Sequence, residues 1–429
     1  MQHTSPPNLE RRHSRWYEAY LLSEASQLIV GAVLVYAVPG VLLWGGEFWR
    51  DWGSPQITAL VAVEASFVLS AIALRRLGSF PGTSYVANVF PVVVLVFLLV
   101  FAFILFTRLE YSRPLLLLGA VVALAWCLLC ALAARGFLRM KVAALPVGRS
   151  LHVQSNAQVE VRVLARPDTE GVRFDAVVAD LGENSLGSDW ERFLANCALA
   201  RVPVYHVRRL EEAVTGRVGV DSLSANEAGN LLPSPLYAAC KRLIDVLGVL
   251  LVLPIALPLM VLTALAIRLD SAGPAIFIQE RVGLGNKTFS IYKFRSMVAD
   301  AASMGAEETE DDDQRITRVG HFIRLIRVDE LPQLLNVLKG DMSLIGPRPE
   351  MREMIDRFCK QIPFYAYRHV VRPGITGWAQ VMQGATNNID GARLKIQYDL
   401  YYIKHFSLWL DALIVLKTIK VVLTGHGAR

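Results

Sequence analysis

The chain has 429 residues, enough for more than one domain, and hydrophobic residues make up 53% of it. That apolar share is too high for an ordinary soluble protein and predicts membrane segments. Lys and Arg number 44 and Asp and Glu 38, a net charge of +6, but no basic run is interleaved with aromatic residues as in nucleic-acid-binding proteins, so we expect no nucleic-acid partner.

Four apolar runs open the chain, each long enough to cross a bilayer as a helix. They are Gln27–Trp44, Ile57–Leu74, Tyr85–Phe106 and Pro114–Ala134. Basic residues concentrate before the first run, after the second and after the fourth. By the positive-inside rule, the N-terminus and everything after Ala134 should lie in the cytoplasm. We therefore predict a four-helix transmembrane bundle at residues 1–140.

Residues 145–232 lack the long apolar runs of the preceding part, and their pattern predicts a small Rossmann-like α/β module in the cytoplasm. HVQSNAQVEVRVL, FDAVVADL and VPVYHV have strand patterns, and WERFLANCALA has helical spacing. Strands alternating with a helix predict a parallel sheet. The segment contains no G-x-G-x-x-G, so dinucleotide binding has no support. A regulatory or structural role is favoured over a catalytic one.

A third part, residues 236–429, begins with an apolar stretch at about 241–268 that allows two interpretations. A fifth spanning helix would place everything after it outside the cell. Alternatively, a re-entrant helix broken at Pro254 and Pro258 enters and leaves on the cytoplasmic face. Basic residues on both sides of the stretch, together with the helix-breaking prolines, favour the second interpretation.

The polar region after this stretch should begin with a β-hairpin that turns near Gly285-Asn286. Since residues i and i+2 share a face of a strand, Lys293 and Arg295 should project together. Further on, DELPQLLNVLKG predicts a helix that begins at Asp329, with Asp329 as its cap, and ends at Gly340.

Asp329 and Glu330 are adjacent acids, which repel each other unless a cation holds them, so the pair suggests a metal or phosphate site. Mg²⁺ is commonly held by one or two carboxylates together with substrate phosphates, and an aspartate can attack phosphorus as a nucleophile. Arg348, between two prolines, is a candidate phosphate clamp. Further candidates are Lys293, Arg295 and Arg324. On pattern alone, a phosphate-handling membrane enzyme and a helix-capped structural segment remain equal alternatives.

Residues 241–429 resemble the bacterial sugar transferase family, the monotopic polyprenyl-phosphate phosphoglycosyl transferases that start exopolysaccharide or O-antigen synthesis. The motifs that carry the resemblance occur in order: KRLIDV, LDSAGPAIFIQERVG, YKFRSM, RITRVG, DELPQLLNVLKGDMSLIGPRPE, RPGITGWAQV and DLYYIKHFSLWLDALIVLKT. The preceding spans and the α/β module resemble the long form of the family. The fold implied is a four-helix bundle, the α/β module and a monotopic α+β catalytic domain with a re-entrant helix, in the bacterial inner membrane.

The resemblance implies a mechanism and its partners. Asp329 would attack the β-phosphate of a UDP-sugar and expel UMP, and undecaprenyl phosphate would then accept the hexose 1-phosphate. Glu330 matches the family's Mg²⁺-binding acid, and Arg348, Lys293 and Arg295 match basic positions expected to contact phosphates. Glucose or galactose is the sugar suggested by the subfamily likeness. The oligomeric state stays open, and a homo-oligomer is compatible with the sequence.

The same resemblance assigns roles near the membrane and in the C-terminal part. Pro258 matches the proline that kinks the re-entrant helix. Lys241 and Arg242 would meet the lipid phosphate, with Asp245 paired to one of them. RPGITGWAQV contributes two more candidates for nucleotide or sugar binding, with a packed turn as the alternative. They are Arg372 and Gln380.

Two other functions remain open at this point. One is a membrane glycosyltransferase that moves only the sugar and releases UDP, which the nucleotide product would reveal. The other is a catalytically silent membrane sensor or scaffold. The intact acid pair, YKFRSM and PRP motifs argue against the second.

Overall fold

A computed structural model describes most of the chain. The described residues are 12, 23–47, 53–137, 139–153, 155, 159–169, 171–180, 186–220, 232–298, 313–384 and 388–424. The chain divides into two compact units, Met1–Gly216 and Arg217–Arg429.

The first unit opens with four long helices that pack on one another. They are α1 (Glu24–Trp44), α2 (Ser54–Gly78), α3 (Tyr85–Thr107) and α4 (Arg113–Phe137). By length and composition, each is able to cross a membrane. Small residues allow close packing: a Cβ on Gly31 would collide with Phe67 and Trp126. The four predicted apolar helices are confirmed.

The α/β part of this unit is built on a parallel sheet of four strands in the order β2-β1-β3-β4. The strands are β1 (Met140–Ala144), β2 (Val159–Val163), β3 (Ala176–Ala179) and β4 (Val204–His206), with helices α5 (Ser188–Leu199) and α6 (Val207–Thr215). The predicted parallel sheet is confirmed. Its first strand lies just before residue 145, and residues 221–231, which precede the expected end at 232, lie outside the described part of the chain. The three predicted domain ranges stay predictions.

The second unit begins with α7 (Pro235–Asp270), a helix of 36 residues and about 54 Å. Its helical assignment continues through Pro254 and Pro258, and the predicted re-entrant break there stays a prediction. A proline removes one N–H donor and bends a helix, but the flanking hydrogen bonds hold the helix together when the surroundings are apolar. Whether both ends lie on one side of the membrane stays a prediction.

One face of α7 is buried along its length and the other is apolar and exposed. Val249 and Ala256 pack in one cluster with Val337, and Ile267 packs in a second with Phe294. The exposed face carries Leu247, Leu251, Ile255, Leu262, Leu265 and Leu269. Such a face is suited to lipid.

The remaining elements form the globular part of this unit. A two-stranded antiparallel hairpin, β5 (Ile276–Val282) and β6 (Thr288–Phe294), turns through Gly285 and Asn286, both with positive φ, as predicted. A short parallel pair joins β7 (Ser343–Ile345) to β8 (Gly374–Thr376). The helices are α8 (Arg318–Leu325), α9 (Gln333–Lys339), α10 (Arg352–Cys359), α11 (Trp378–Met382), α12 (Ile389–Lys404) and α13 (Leu408–Thr424).

Candidate active site

The acid pair lies in a single 3₁₀ turn, Val328–Glu330, between α8 and α9. Arg327 precedes the turn in the left-handed conformation (φ 59°), which redirects the chain as it leaves α8. The predicted start of the next helix is wrong: α9 begins at Gln333, and Asp329 does not cap it. Pro332 precedes α9 and supplies no side-chain cap. The predicted end is confirmed, since Gly340 follows Lys339 with φ 95°.

The two carboxylates of the pair differ in environment. Glu330 is buried, and its Oε1 accepts a hydrogen bond from Arg348 Nη2 at 2.9 Å. Burial acts to raise the pKa of Glu330, but Arg348 and Lys293 outweigh it, and the pKa lies below its usual value. Glu330 is therefore an ionised, anchored carboxylate.

Asp329 has the opposite character. Burial, and then the charge of Glu330, raise its pKa above the ordinary value, against the opposing charges of Lys293, Arg324 and Arg348. Within the described part of the chain, no hydrogen bond to its carboxylate is found. A carboxylate that is more basic and not anchored is the better nucleophile of the two.

Two cations from the hairpin join this site. Burial, and then Arg348, lower the pKa of Lys293 to about 8, while Glu330 and Asp329 oppose the shift. Burial and Arg348 likewise lower the pKa of Arg281 to about 10. Arg281 was not among the residues predicted from the sequence, although the alternation of side chains along the two strands would have placed it on the same face as Lys293. Lys293 pairs with Phe277, and Arg281 lies four positions further along the same strand, so both share one face.

Arg295 is not part of this group, so the expectation that it projects with Lys293 is wrong. It is buried, and its guanidinium donates to the main-chain oxygens of Ser271 (2.8 Å) and Ala272 (2.5 Å), which follow α7. Arg295 lies one residue beyond the end of β6 at Phe294. Its guanidinium contacts hold the residues that follow α7, and the predicted phosphate contact of Arg295 stays a prediction.

Lys241 and Arg242 both make internal contacts in the structure, and the predicted contact of either residue with the lipid phosphate stays a prediction. Lys241 is buried, with Nζ 2.6 Å from Asp411 Oδ2 and 4.0 Å from Asp245 Oδ1. Arg242 donates to the main-chain oxygens of Val337 and Leu338, where it neutralises the negative end of α9. The predicted pairing of Asp245 with one of these cations is confirmed.

The RPGITGWAQV candidates lie in packed structure, which favours the alternative of a packed turn. Arg372 Nε donates to the oxygen of Gly340 at 3.1 Å. Gln380 Nε2 donates to the oxygen of Ile375 at 3.1 Å. Trp378 is buried and stacked on Tyr401. Pro258, the proline assigned to the kink, lies exposed on α7.

A buried ion-pair network fixes the segment that carries Arg348. Glu350 Oε2 lies 2.5 Å from Arg368 Nη1 and accepts a hydrogen bond from Tyr365 at 2.6 Å, and Lys395 donates to its Oε1 at 2.9 Å. Arg368 Nη2 also donates to the main-chain oxygen of Arg348 at 3.0 Å. This network holds the backbone on which the Arg348 guanidinium depends for its contact with Glu330.

Comparison with known proteins identifies the family. A sequence model described as "Bacterial sugar transferase" matches residues 236–425. The UDP-N-acetylgalactosamine-undecaprenyl-phosphate N-acetylgalactosaminephosphotransferase of Aeromonas hydrophila is 49% identical over 420 residues, 98% of this chain and 99% of that protein. The chain belongs to the bacterial sugar transferase family.

Two further relatives are similar to this chain over about 200 residues. The UDP-glucose:undecaprenyl-phosphate glucose-1-phosphate transferase of Caulobacter vibrioides is 44% identical over 202 residues, 47% of this chain and 76% of that protein. The undecaprenyl-phosphate galactose phosphotransferase of Salmonella typhimurium is 41% identical over 203 residues, 44% of this chain and 41% of that protein. Each of these matches covers less than half of the chain, a length close to that of the region 236–425 matched by the family model.

The acid pair of this bacterial sugar transferase suits a magnesium ion that substrate helps to bind. Among the described residues, no group of three or more His, Cys, Asp or Glu side chains is arranged to hold a metal alone. Mg²⁺ is often bound by one or two carboxylates plus substrate phosphates, which an acid pair satisfies. Arg348 occupies one oxygen of Glu330, and the low pKa of this acid keeps it ionised, as a ligand must be.

Proposed function

We propose that the protein transfers a sugar 1-phosphate from a UDP-sugar to undecaprenyl phosphate through an aspartyl intermediate on Asp329. The general reaction rests on family membership and on the relatives named above. The observation that carries the residue assignment is the contrast within the acid pair: Glu330 is anchored by Arg348, whereas Asp329 has a raised pKa and no hydrogen-bonded partner among the described residues.

In the first step, an oxygen of Asp329 attacks the sugar-bearing β-phosphorus of the UDP-sugar. The bond from that phosphorus to the bridging oxygen breaks, and UMP leaves with the oxygen. In the second step, a phosphate oxygen of undecaprenyl phosphate attacks the same phosphorus, and the Asp329 carboxylate leaves. The lipid-linked product is a diphosphate, and the enzyme is regenerated. Each step is an in-line displacement, so positioning and charge stabilisation supply most of the rate.

The cations around the pair neutralise the substrate diphosphate. Lys293, Arg281 and Arg324 supply charges in addition to Arg348, whose own guanidinium is shared with Glu330. When bound, Mg²⁺ would be held by Glu330 and would neutralise further charge on the diphosphate. The planar guanidinium of Arg348 suits a phosphate oxygen as well as a carboxylate, so it orients Glu330 and substrate together.

The location of the site follows from how α7 packs. From Lys241 to Ile267, about 39 Å at the usual helical rise, this helix contacts elements of the globular part. A bilayer core is about 30 Å thick, so a straight crossing would carry those polar elements into lipid. This packing supports a re-entrant or interfacial path for α7, with the acid pair on the cytoplasmic face, where both a soluble nucleotide sugar and a lipid phosphate have access.

The test is product identification with purified protein in detergent, undecaprenyl phosphate, Mg²⁺ and a panel of UDP-sugars. The panel starts with UDP-N-acetylgalactosamine, the substrate named in the full-length relative, and includes UDP-glucose and UDP-galactose. Release of UMP supports the proposal, whereas release of UDP would show that only the sugar moves. Asp329→Asn should abolish turnover without loss of folding, and retained activity would remove Asp329 as the nucleophile.

A further inference from the structure

Gln333 is a buried amide that the proposed mechanism leaves unused. Its side chain is 2% exposed, and Nε2 has no hydrogen-bond partner among the described residues. A buried N–H group without a partner costs free energy, because it has given up water and received nothing in exchange. Such a group is expected where a ligand supplies the missing acceptor.

The backbone places Gln333 one helical turn beyond Asp329. Leu331 and Pro332 both have right-handed helical dihedrals, so the chain runs helically from the 3₁₀ turn into α9. At about 100° per residue, Asp329, Gln333 and Asn336 fall within a sector of about 60°. These three side chains therefore share one face.

Asn336 shows where this face points. Its Oδ1 accepts from the main-chain N–H of Tyr292 at 3.1 Å, and its Nδ2 donates to the oxygen of Ser290 at 2.7 Å, so the face lies against the edge of β6. The next residue of β6 is Lys293, whose charge couples to both acids of the pair. Gln333 thus lies between the Asn336 contact and the acid pair.

The rest of α9 faces elsewhere. Leu334 and Val337 belong to the cluster with Val249 and Ala256 of α7, and Leu331 packs against it. A buried amide on that side would point into hydrocarbon. On the face that Gln333 occupies, a substrate held over Asp329 would present its phosphoryl oxygens as acceptors.

We propose that Gln333 is a further substrate-contacting residue, whose side-chain amide donates a hydrogen bond to an oxygen of the diphosphate during phosphoryl transfer. This inference rests on the proposed function, since it places the phosphate over Asp329. A neutral donor stabilises charge on the transferring group without disturbing the pKa values of Lys293 and the acids. Preorganised donors of this kind are used widely to stabilise developing charge.

The test variant is Gln333→Met, which keeps the length and volume of the side chain and removes the donor. Since the amide has no partner to lose, the midpoint of thermal unfolding should stay unchanged or rise. Turnover of the UDP-sugar should fall by about 10-fold to 100-fold. Gln380→Met is the matched comparison for stability: its Nε2 has a partner, the oxygen of Ile375, so this variant should unfold at a lower temperature.

Two results would overturn the proposal. One is equal turnover by Gln333→Met and the wild type. The other is a Gln333→Met protein that unfolds early and loses activity only in proportion to the unfolded fraction, which would make Gln333 a structural residue. Gln333→Glu, which replaces the donor amide by a third carboxylate, should lose more activity than Gln333→Met.

Failure of the proposed function has a different signature, because the wild type itself would release no UMP. In that case, the contact between Gln333 and the diphosphate can still be measured by ligand binding. The readout is the rise in unfolding temperature caused by UDP-N-acetylgalactosamine or UDP-glucose. A smaller rise for Gln333→Met than for the wild type supports a contact to the diphosphate. An equal rise for the two proteins contradicts it.

Discussion

The alkaline limb of the pH–activity profile should depend on Lys293. Burial, and then the charge of Arg348, lower the pKa of Lys293 from 10.5 to about 8, against the opposing pull of Glu330 and Asp329. The protonated form is the one that stabilises phosphoryl oxygens. We therefore expect kcat/KM to be level at neutral pH and to fall above pH 8, approaching about tenfold per pH unit.

Two substitutions separate charge from the rest of the side chain. Lys293→Arg keeps a cation that does not titrate in this range, so the limb near pH 8 should disappear. Lys293→Met removes the cation at every pH. It should lower kcat/KM at neutral pH by about 10²- to 10³-fold and abolish the same limb.

The free energy of unfolding should also change with pH as Lys293 loses its proton, and the direction of that change can be derived. Between pH 8 and pH 10.5, the unfolded chain binds a proton at Lys293 that the folded protein does not. The free energy of unfolding should therefore rise with pH across this window, by up to about 3 kcal/mol. Lys293→Met should lack this rise, because it has no group to titrate.

The assay is UMP release by detergent-purified protein from neutral to alkaline pH, with thermal unfolding measured in the same buffers. The wild type with UDP-N-acetylgalactosamine and undecaprenyl phosphate sets the reference curve. An identical alkaline limb in Lys293→Arg would refute the reasoning, since the titrating group would then lie elsewhere. A full-rate Lys293→Met protein would exclude Lys293 from phosphate stabilisation altogether.

Further predictions concern the buried network and the path of α7. Glu350→Gln should destabilise the protein by about 3–5 kcal/mol, because it removes the carboxylate that the buried Arg368 and Lys395 share and leaves Arg368 with Asp399 alone. The exposed neighbour Glu353→Gln should unfold like the wild type. In the wild type, the folded pKa of Glu350 is depressed from 4.5 to about 2, so its stabilisation should be present above pH 4.5 and lost as pH falls toward 2. Cys240 and an introduced Leu269→Cys, at opposite ends of α7 and both exposed, should react with an impermeant maleimide in inverted vesicles and not in intact spheroplasts. Labelling of position 269 from the outside would show that α7 crosses the membrane.

The sequence predicted the helices, the strands and the grouping of cations around the acid pair better than it predicted individual side-chain hydrogen bonds. Asp329 and Glu330 are charge-coupled with Lys293 and Arg348, as expected. For such residues, the pattern and the resemblance agree because phosphate chemistry leaves few alternatives for adjacent acids and nearby cations.

The internal contacts that the sequence did not predict share a physical cause. Arg295 and Arg242 bind main-chain oxygens at the ends of α7 and α9, and Lys241 is buried beside Asp411. A cation in a sequence motif can bind the carbonyl groups at a helix end as readily as a phosphate, and only the tertiary contacts distinguish the two roles. The cap predicted for Asp329 failed for a related reason: Pro332 in the first turn delays the regular helix, which local spacing alone did not reveal.

The contact between Lys241 and Asp411 has a practical consequence for production of the enzyme. Removing α7 to obtain a water-soluble catalytic fragment would strip Asp411 of its ammonium partner, while Tyr402 and the rest of the fold keep the carboxylate buried. The same truncation would uncover Val337 and Met342. Fragments that start after residue 270 should aggregate when expressed, and useful preparations should retain α7 in detergent micelles or nanodiscs.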